Sequence, residues 1–330
     1  MRTVSPVLTP TTLDLEPLPG DVVRVEEVLR ASVASEDRFL DEVAAHLVAA
    51  GGKRLRPTLT VCAAYAALGV ASVPPEVVTG GVSCELVHLG SLYHDDVIDE
   101  AATRRGVPSV NARWSNIVAI LAGDFLLARA SSLAASLGAD VAALLAATIG
   151  DLCRGQVLEL QHLFDRDRSV EVYESAIAGK TAALFATSCR VGGMVAGVDH
   201  ATLEALTGFG HHLGMCFQVV DDVLDLTSTD EALGKRAGQD LVEGIYTLPV
   251  IDALRSSAEL RDLLGGPIDD ERLVRARELV VASGAVETAL TVARDHAARA
   301  NKALTSVDTL DVDVVAGLTR LVDDLVARDH

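Results

Sequence analysis

Two short acidic motifs constrain this chain more than any other feature. Asp95-Asp96-Val-Ile-Asp99 closes an apolar run that starts near Glu85, and Asp221-Asp222-Val-Leu-Asp225 closes a second that starts near Gly214. Both runs read as helices. At roughly 100° per residue the first and last Asp of each motif stack on one face, with the middle Asp close beside them. Like charges at that spacing repel. Gly106 and Pro108 follow the first motif and Thr227, Ser228 and Thr229 the second, so both clusters also face the negative end of a helix dipole. Either motif alone reads equally well as a solvated acidic face. Two copies with near-identical neighbours, if the helices face each other, put six carboxylates around one cavity. Oxygen-only ligands of this kind suit Mg²⁺, which keeps several waters and shares the phosphates of a polyanionic ligand.

The remaining sequence is helical in character. The 330 residues are 49% hydrophobic but only 3% aromatic, which favours packed Ala-, Val- and Leu-rich helices over sheets. Residues 1 to about 20 carry Pro6, Pro10, Pro17 and Pro19 and read as a flexible N-terminal arm; residues 21–330 read as one all-α domain. Val22, Val25, Val28 and Leu29 recur at helical spacing. A second helix is expected over Glu36–Ala50, capped by Ser35 and ended by Gly51-Gly52. Further helices are expected over Asn111–Leu137, Asp140–Leu163, Val170–Val198 and Ala201–Leu226, with at least three more after Ile268 and no strand. Lys53, Arg54 and Arg56 precede Pro57 at a helix start, where free N–H groups and the dipole also favour an anion. Lys180 stands in an apolar stretch, as a snorkelling lysine or a phosphate ligand. His94, His211 and His212 have no third ligand at useful spacing and read as ordinary polar histidines.

Composition excludes several functions. A net charge of −19 opposes binding to nucleic acid or to an anionic membrane. Five scattered cysteines without a C-x-x-C pair read as buried free thiols in a reducing cytosol. No apolar h-region follows Arg2, and the longer apolar runs are interrupted by Asp124, Arg129 or Arg190, so neither a signal peptide nor a membrane anchor is expected. The expected location is cytoplasmic.

Between about Ala45 and Ala253 the chain resembles the trans-isoprenyl diphosphate synthases, or polyprenyl synthetases. The likeness rests on Gly51-Gly-Lys-Arg-Leu-Arg-Pro57, Leu86–Gly106, Gly123-Asp124-Phe-Leu126, Gly155-Gln156, Gly179-Lys180-Thr181, Phe217–Asp225, Gly234-Lys235 and Asp240-Leu-Val-Glu-Gly-Ile-Tyr-Thr-Leu-Pro249, in that order. It implies the isoprenoid synthase fold, helices around a deep cavity, usually as a homodimer. It also implies Mg²⁺-dependent condensation of isopentenyl diphosphate with an allylic diphosphate by ionisation, condensation and elimination, aided by electrostatic stabilisation of the leaving diphosphate. By resemblance Asp95, Asp96, Asp99, Asp221, Asp222 and Asp225 hold metal. Arg104, Lys180, Gln218 and Lys235 contact the allylic diphosphate. Lys53, Arg56, His88 and Arg105 hold isopentenyl diphosphate, and Thr181 and Phe217 lie beside the reacting carbons. Ile245 departs from the pattern, since many members carry Lys there.

In this family a bulky residue four or five positions before the first Asp stops the growing chain. Here those positions are Ser91 and Gly90, followed below by Val87, Cys84, Ser83, Gly81 and Gly80. The helix from Asp95 to Gly81 spans about 21 Å, so an open tunnel and a long all-trans product are expected, with Ile117, Leu121 or Leu158 as candidates for its floor. The same small residues also suit close helix packing. A geranylgeranyl or farnesyl diphosphate synthase, a non-catalytic partner subunit and a terpene cyclase are the alternatives. Two intact acidic motifs argue against the silent subunit, and the Gly-Gly-Lys-Arg-Leu-Arg segment against the cyclase.

Overall fold

Short polar side chains set the helix starts. Asp37, Ser115, Ser169 and Asp199 each accept a hydrogen bond from a backbone N–H in the first turn that follows, which satisfies donors a helix cannot pair internally. The computed structural model describes residues 13–230 and 236–327. In chain order the helices are α1 (Leu18–Val33), α2 (Arg38–Ala49), α3 (Leu55–Leu68), α4 (Pro75–Ile98), α5 (Val110–Arg113), α6 (Asn116–Ser136), α7 (Ala139–Gln161) and α8 (Val170–Ile177). A π-helical turn over Ala178–Ala182 leads into α9 (Ala183–Ala196) and then α10 (His200–Thr227). The last six are α11 (Gln239–Glu243), α12 (Leu248–Ser256), α13 (Ala258–Leu263), α14 (Asp270–Ala282), α15 (Ala285–Leu304) and α16 (Val312–Val326).

The core lies between α3, α4, α9 and α10. Helix α3 is buried on almost every side, from Pro57 through Ala66. Helix α4 packs against α3, α6 and α9, and α10 against α9 and α15. Glycines allow these close crossings: a Cβ on Gly192 would lie 2.3 Å from the Thr60 carbonyl oxygen, and one on Gly210 2.6 Å from that of Phe185.

Several expectations are corrected. The arm is shorter than the proline pattern suggests: Leu13 and Leu15 are buried and α1 starts at Leu18, while residues 1–12 lie outside the described residues. Asp37, not Ser35, caps α2; the Ser35 hydroxyl accepts from the Asp37 N–H instead, at 3.2 Å. The helix expected over Asn111–Leu137 breaks at Trp114-Ser115, where Ser115 turns to cap α6. Among the described residues there is one small antiparallel ladder, Thr103-Arg104 (β1) against Val107-Pro108 (β2). It fixes the tight turn that carries Arg104 and Arg105. Four cysteines are buried as expected and none is in a disulfide, but Cys153 is exposed. By length and composition alone α6 and α7 are long and apolar enough to cross a membrane, although Asp124 and Arg129 interrupt α6 as expected. Both carry apolar residues on an outer face: Ile117, Ile120 and Leu121 on α6, Val157 and Leu160 on α7.

Candidate active site

The first acidic motif ends α4, with Asp99 as the C-cap residue. Desolvation pushes the Asp95 carboxyl up to about 6, and raises Asp96 and Asp99 as well. Asp96 is fully buried. Its Oδ1 accepts from Arg104 Nε at 2.6 Å, while its Oδ2 is buried without a partner. Arg104, expected on the allylic diphosphate, is thus held against the acidic motif by the β1–β2 turn.

The second motif ends α10. Asp221 is exposed, whereas Asp222 and Asp225 are buried. A chain of hydrogen bonds orients Asp222: Thr181 Oγ1 donates to Gln218 Oε1 at 2.7 Å, Gln218 Nε2 donates to Asp222 Oδ1 at 2.8 Å, and the Tyr173 hydroxyl donates to Asp222 Oδ2 at 2.6 Å. Burial nevertheless pushes Asp222 up to about 7. Asp225 Oδ2 accepts from the Asp240 N–H at 3.2 Å and so ties α10 to α11. Lys235, expected on the allylic diphosphate, lies outside the described residues.

Lys180 joins the two sides. It rides on the π-helical turn, and π-turns recur at functional positions in helices. Its Nζ donates to Glu159 Oε1 at 2.5 Å. Burial opposes its charge, but Glu159, Asp95 and Asp99 more than offset that and hold it firmly protonated. The turn sits directly on Gly155 of α7: a Cβ there would lie 2.3 Å from the Lys180 backbone nitrogen and 2.7 Å from the Ala176 carbonyl oxygen. Glu159 is one turn beyond Gly155 on the same face of α7, a spacing in the sequence that could have revealed it.

The expected isopentenyl diphosphate residues separate into two groups. Arg56, Arg105 and His88 come together. Burial first, then Arg56, Arg105, Arg104 and Arg54, drive His88 well below its usual range, so its ring is neutral. Burial lowers Arg56 to about 10, and its Nε is buried without a partner. Lys53 is exposed on the loop just before. Arg54 belongs to the frame: it is buried, its Nη1 donates to Glu85 at 3.1 Å, and it also pairs with Glu26. The loop closes because Gly52, at φ +158, allows the guanidinium of Arg105 to approach within 2.7 Å of where a Cβ would stand. Arg105 then donates to the carbonyl oxygens of Gly51 and Leu47. The rings of Phe185 and Phe217 have centroids 5.3 Å apart, and Arg56 stands over Phe185 at 5.1 Å.

The small residues of α4 do not share one role. Ser91 is half-buried on the face below Asp95, and its hydroxyl donates to the His88 carbonyl oxygen at 2.9 Å. Val87 and Cys84 continue below it and are fully buried. Gly90 faces elsewhere: a Cβ there would lie 3.1 Å from the Gly123 carbonyl oxygen of α6. Gly80 and Gly81 likewise sit at crossings with Val191 and Pro57. Close packing, rather than an open tunnel, explains these three glycines. Of the candidate floor residues, Ile117 and Leu121 face outward. His94 hydrogen-bonds with the Ile120 carbonyl oxygen and His212 with His296, as expected of ordinary histidines.

A cavity bordered by Glu159, Arg168, Tyr173, Lys180, Gln218, Asp222 and Ile245 lies between α7, α8 and α10. Among the described residues no three His, Cys, Asp or Glu side chains form a cage for a metal by themselves. The donor set instead fits a cation that keeps waters and shares a ligand's oxygens: carboxylates with raised pKa, and an Asp96 oxygen buried without a partner.

A model of the polyprenyl synthetase family matches residues 37–280. Nonaprenyl diphosphate synthase of Mycobacterium tuberculosis is 40% identical over 312 residues, covering 93% of this chain and 92% of its own. Polyprenyl synthase of Caulobacter crescentus, solved with calcium and isoprenyl diphosphate, superposes with a TM-score of 0.90 at 34% identity over 98% of both chains. Geranylgeranyl pyrophosphate synthase of Corynebacterium glutamicum, also solved with calcium and isoprenyl diphosphate, gives 0.82 at 39% identity over 95% of this chain and 96% of its own. On the family match and on this identity along nearly the whole chain, the chain belongs to the polyprenyl synthetase family.

Proposed function

We propose that the protein condenses isopentenyl diphosphate with an allylic diphosphate and releases a long-chain all-trans polyprenyl diphosphate. The observation that carries this reading is the placement of Lys180 within the field of Asp95 and Asp99 on one side and beside Gln218 and Asp222 on the other. The bond between the allylic carbon and its diphosphate oxygen breaks, and the electron pair leaves with the diphosphate. The double bond of isopentenyl diphosphate supplies the new carbon–carbon bond, and a proton then leaves to the released diphosphate. Mg²⁺ held by Asp95, Asp96, Asp99, Asp221, Asp222 and Asp225, some through water, would neutralise the charge developing on the leaving group. Lys180, Arg104 and Gln218 orient that group, and Lys235, outside the described residues, joins them by the family resemblance. Lys53, Arg56, Arg105 and neutral His88 hold the second diphosphate. The rings of Phe217 and Phe185 border the reacting carbons and exclude water. Incorporation of labelled isopentenyl diphosphate tests the reaction: it should stop with EDTA and return with Mg²⁺, and incorporation that survives EDTA would contradict the metal role.

The raised carboxyls give the metal a pH dependence with a definite sign. Asp95 near 6 and Asp222 near 7 carry protons below those values, and a bound cation must displace them. Apparent Mg²⁺ affinity should rise between about pH 5 and pH 8 and then level off. Calorimetric titrations in buffers of different ionisation enthalpy should show proton release at pH 6.5 and little at pH 8.5. An affinity independent of pH would remove these two carboxylates from the site.

A long product is supported by the small Ser91 side chain below Asp95 and by the likeness to a nonaprenyl diphosphate synthase. The outer faces of α6 and α7 support a homodimer, because contiguous exposed apolar residues on a protein surface mark an interface more often than not. A Leu121→Asp, Val157→Asp double variant should elute as a monomer in size-exclusion chromatography; an unchanged elution volume would place the interface elsewhere. A cytoplasmic location belongs to the same proposal and accords with four buried cysteines outside any disulfide.

A further inference from the structure

Arg168 lies in the connection between α7 and α8 and is 4% exposed. Its Nη1 donates to the Tyr246 carbonyl oxygen at 3.1 Å. Its Nε and Nη2 are buried and have no hydrogen-bond partner. Those two atoms form the side-on edge of the guanidinium, which presents two parallel N–H donors to a pair of oxygens on one phosphate or carboxylate group. The guanidinium stacks over the Tyr173 ring at 5.7 Å, and Tyr173 in turn donates to Asp222. Arg168 also borders the cavity shared by Lys180, Gln218, Asp222 and Ile245. Glu159 and Asp222 act on it only through their charge; neither pairs with the open edge. A buried cationic edge without a partner is costly unless a ligand completes it.

We propose that the Nε/Nη2 edge of Arg168 binds the diphosphate of the allylic substrate from the α7–α8 side of the cavity. The inference rests on the condensation reading given above and adds a cation to it. It also gives the cavity a positive charge on the wall where residue 245 contributes only an isoleucine. Tyr246 fixes one nitrogen and Tyr173 fixes the plane, so the edge is held in orientation before substrate arrives.

The test is direct titration of inorganic diphosphate with Mg²⁺ into the full-length protein, alongside steady-state kinetics. Arg168→Gln should weaken diphosphate binding at least ten-fold and raise KM for the allylic diphosphate, leaving KM for isopentenyl diphosphate unchanged. Arg168→Lys keeps the charge but loses the fork, and should fall between. Adding Ile245→Lys to Arg168→Gln should restore much of the lost affinity, because that position borders the same cavity. Wild-type diphosphate affinity in both Arg168 variants would overturn the proposal. So would a loss of affinity in Arg168→Gln that is matched by a loss of folded protein while Arg168→Lys binds normally and elongates with an unchanged allylic KM. If the wild-type protein incorporates no isopentenyl unit, the condensation reading fails separately, and the diphosphate titration still reports on Arg168.

Discussion

Asp95→Ala is expected to lower turnover by roughly 10²–10³-fold while making the metal-free protein no less stable. The loss in rate follows from removing one charge aimed at a metal that stabilises the leaving diphosphate, an effect of the size seen when one preorganised electrostatic contact is deleted. The stability effect follows from the raised carboxyl. A carboxylate whose folded pKa is near 6 and whose unfolded value is near 4 contributes fully to stability only below about pH 4. That contribution is lost as pH rises through 6, and amounts to about 3 kcal/mol at most by pH 7.5. Removing the charge removes the penalty. Asp95→Asn isolates this term from packing, and its thermal midpoint without metal should exceed wild type at pH 7.5 and match it near pH 4. Asp221→Ala should lose turnover comparably. Near-normal turnover in either Ala variant would remove that residue from the metal site.

Ser91→Phe is expected to shorten the product by several isoprene units. Four residues before Asp95 on a helix, Ser91 is about 40° around from it, directly below the acidic cluster, whereas Gly90 is about 140° away. An aromatic ring at 91 would stand in the path of a chain growing down α4 from the diphosphate site. Gly90→Phe would instead drive a ring into the α6 backbone at Gly123, and overpacking of that kind costs about 1–3 kcal/mol or more. Its main effect should be on stability. Products of unchanged length from Ser91→Phe, in protein that folds and turns over normally, would place the chain on another face of α4.

The acidic motifs were legible because their chemistry is local: three carboxylates in one helical turn show their geometry in the spacing alone. Helix positions were legible for the same reason, from apolar period and capping residues. What the sequence hid depends on distant segments meeting. Glu159 shows only in its one-turn spacing from Gly155, and nothing near Arg168 in the chain signals that the turn after α7 lines the same cavity as α10. Arg54 could not be told from Arg56 without the left-handed backbone at Arg54, φ +48, which turns its side chain onto Glu85. The glycines of α4 posed the same difficulty. A glycine at a helix crossing and a glycine lining a tunnel look identical in sequence, and only the position of α6 separates Gly90 from Ser91. Leu13 and Leu15 were masked by the prolines around them, because burial there depends on the C-terminal helix α16: a Cβ at Gly317 would lie 3.1 Å from the Leu13 carbonyl oxygen.

The most direct measurement is the size of the product. The purified protein is incubated with Mg²⁺, labelled isopentenyl diphosphate and, in separate reactions, farnesyl and geranylgeranyl diphosphate. The products are dephosphorylated and resolved by reverse-phase chromatography. Prenyl alcohols longer than geranylgeraniol from both primers are the expected result. A product that stops at geranylgeraniol would contradict the long-chain assignment, and no incorporation from either primer would contradict the condensation itself.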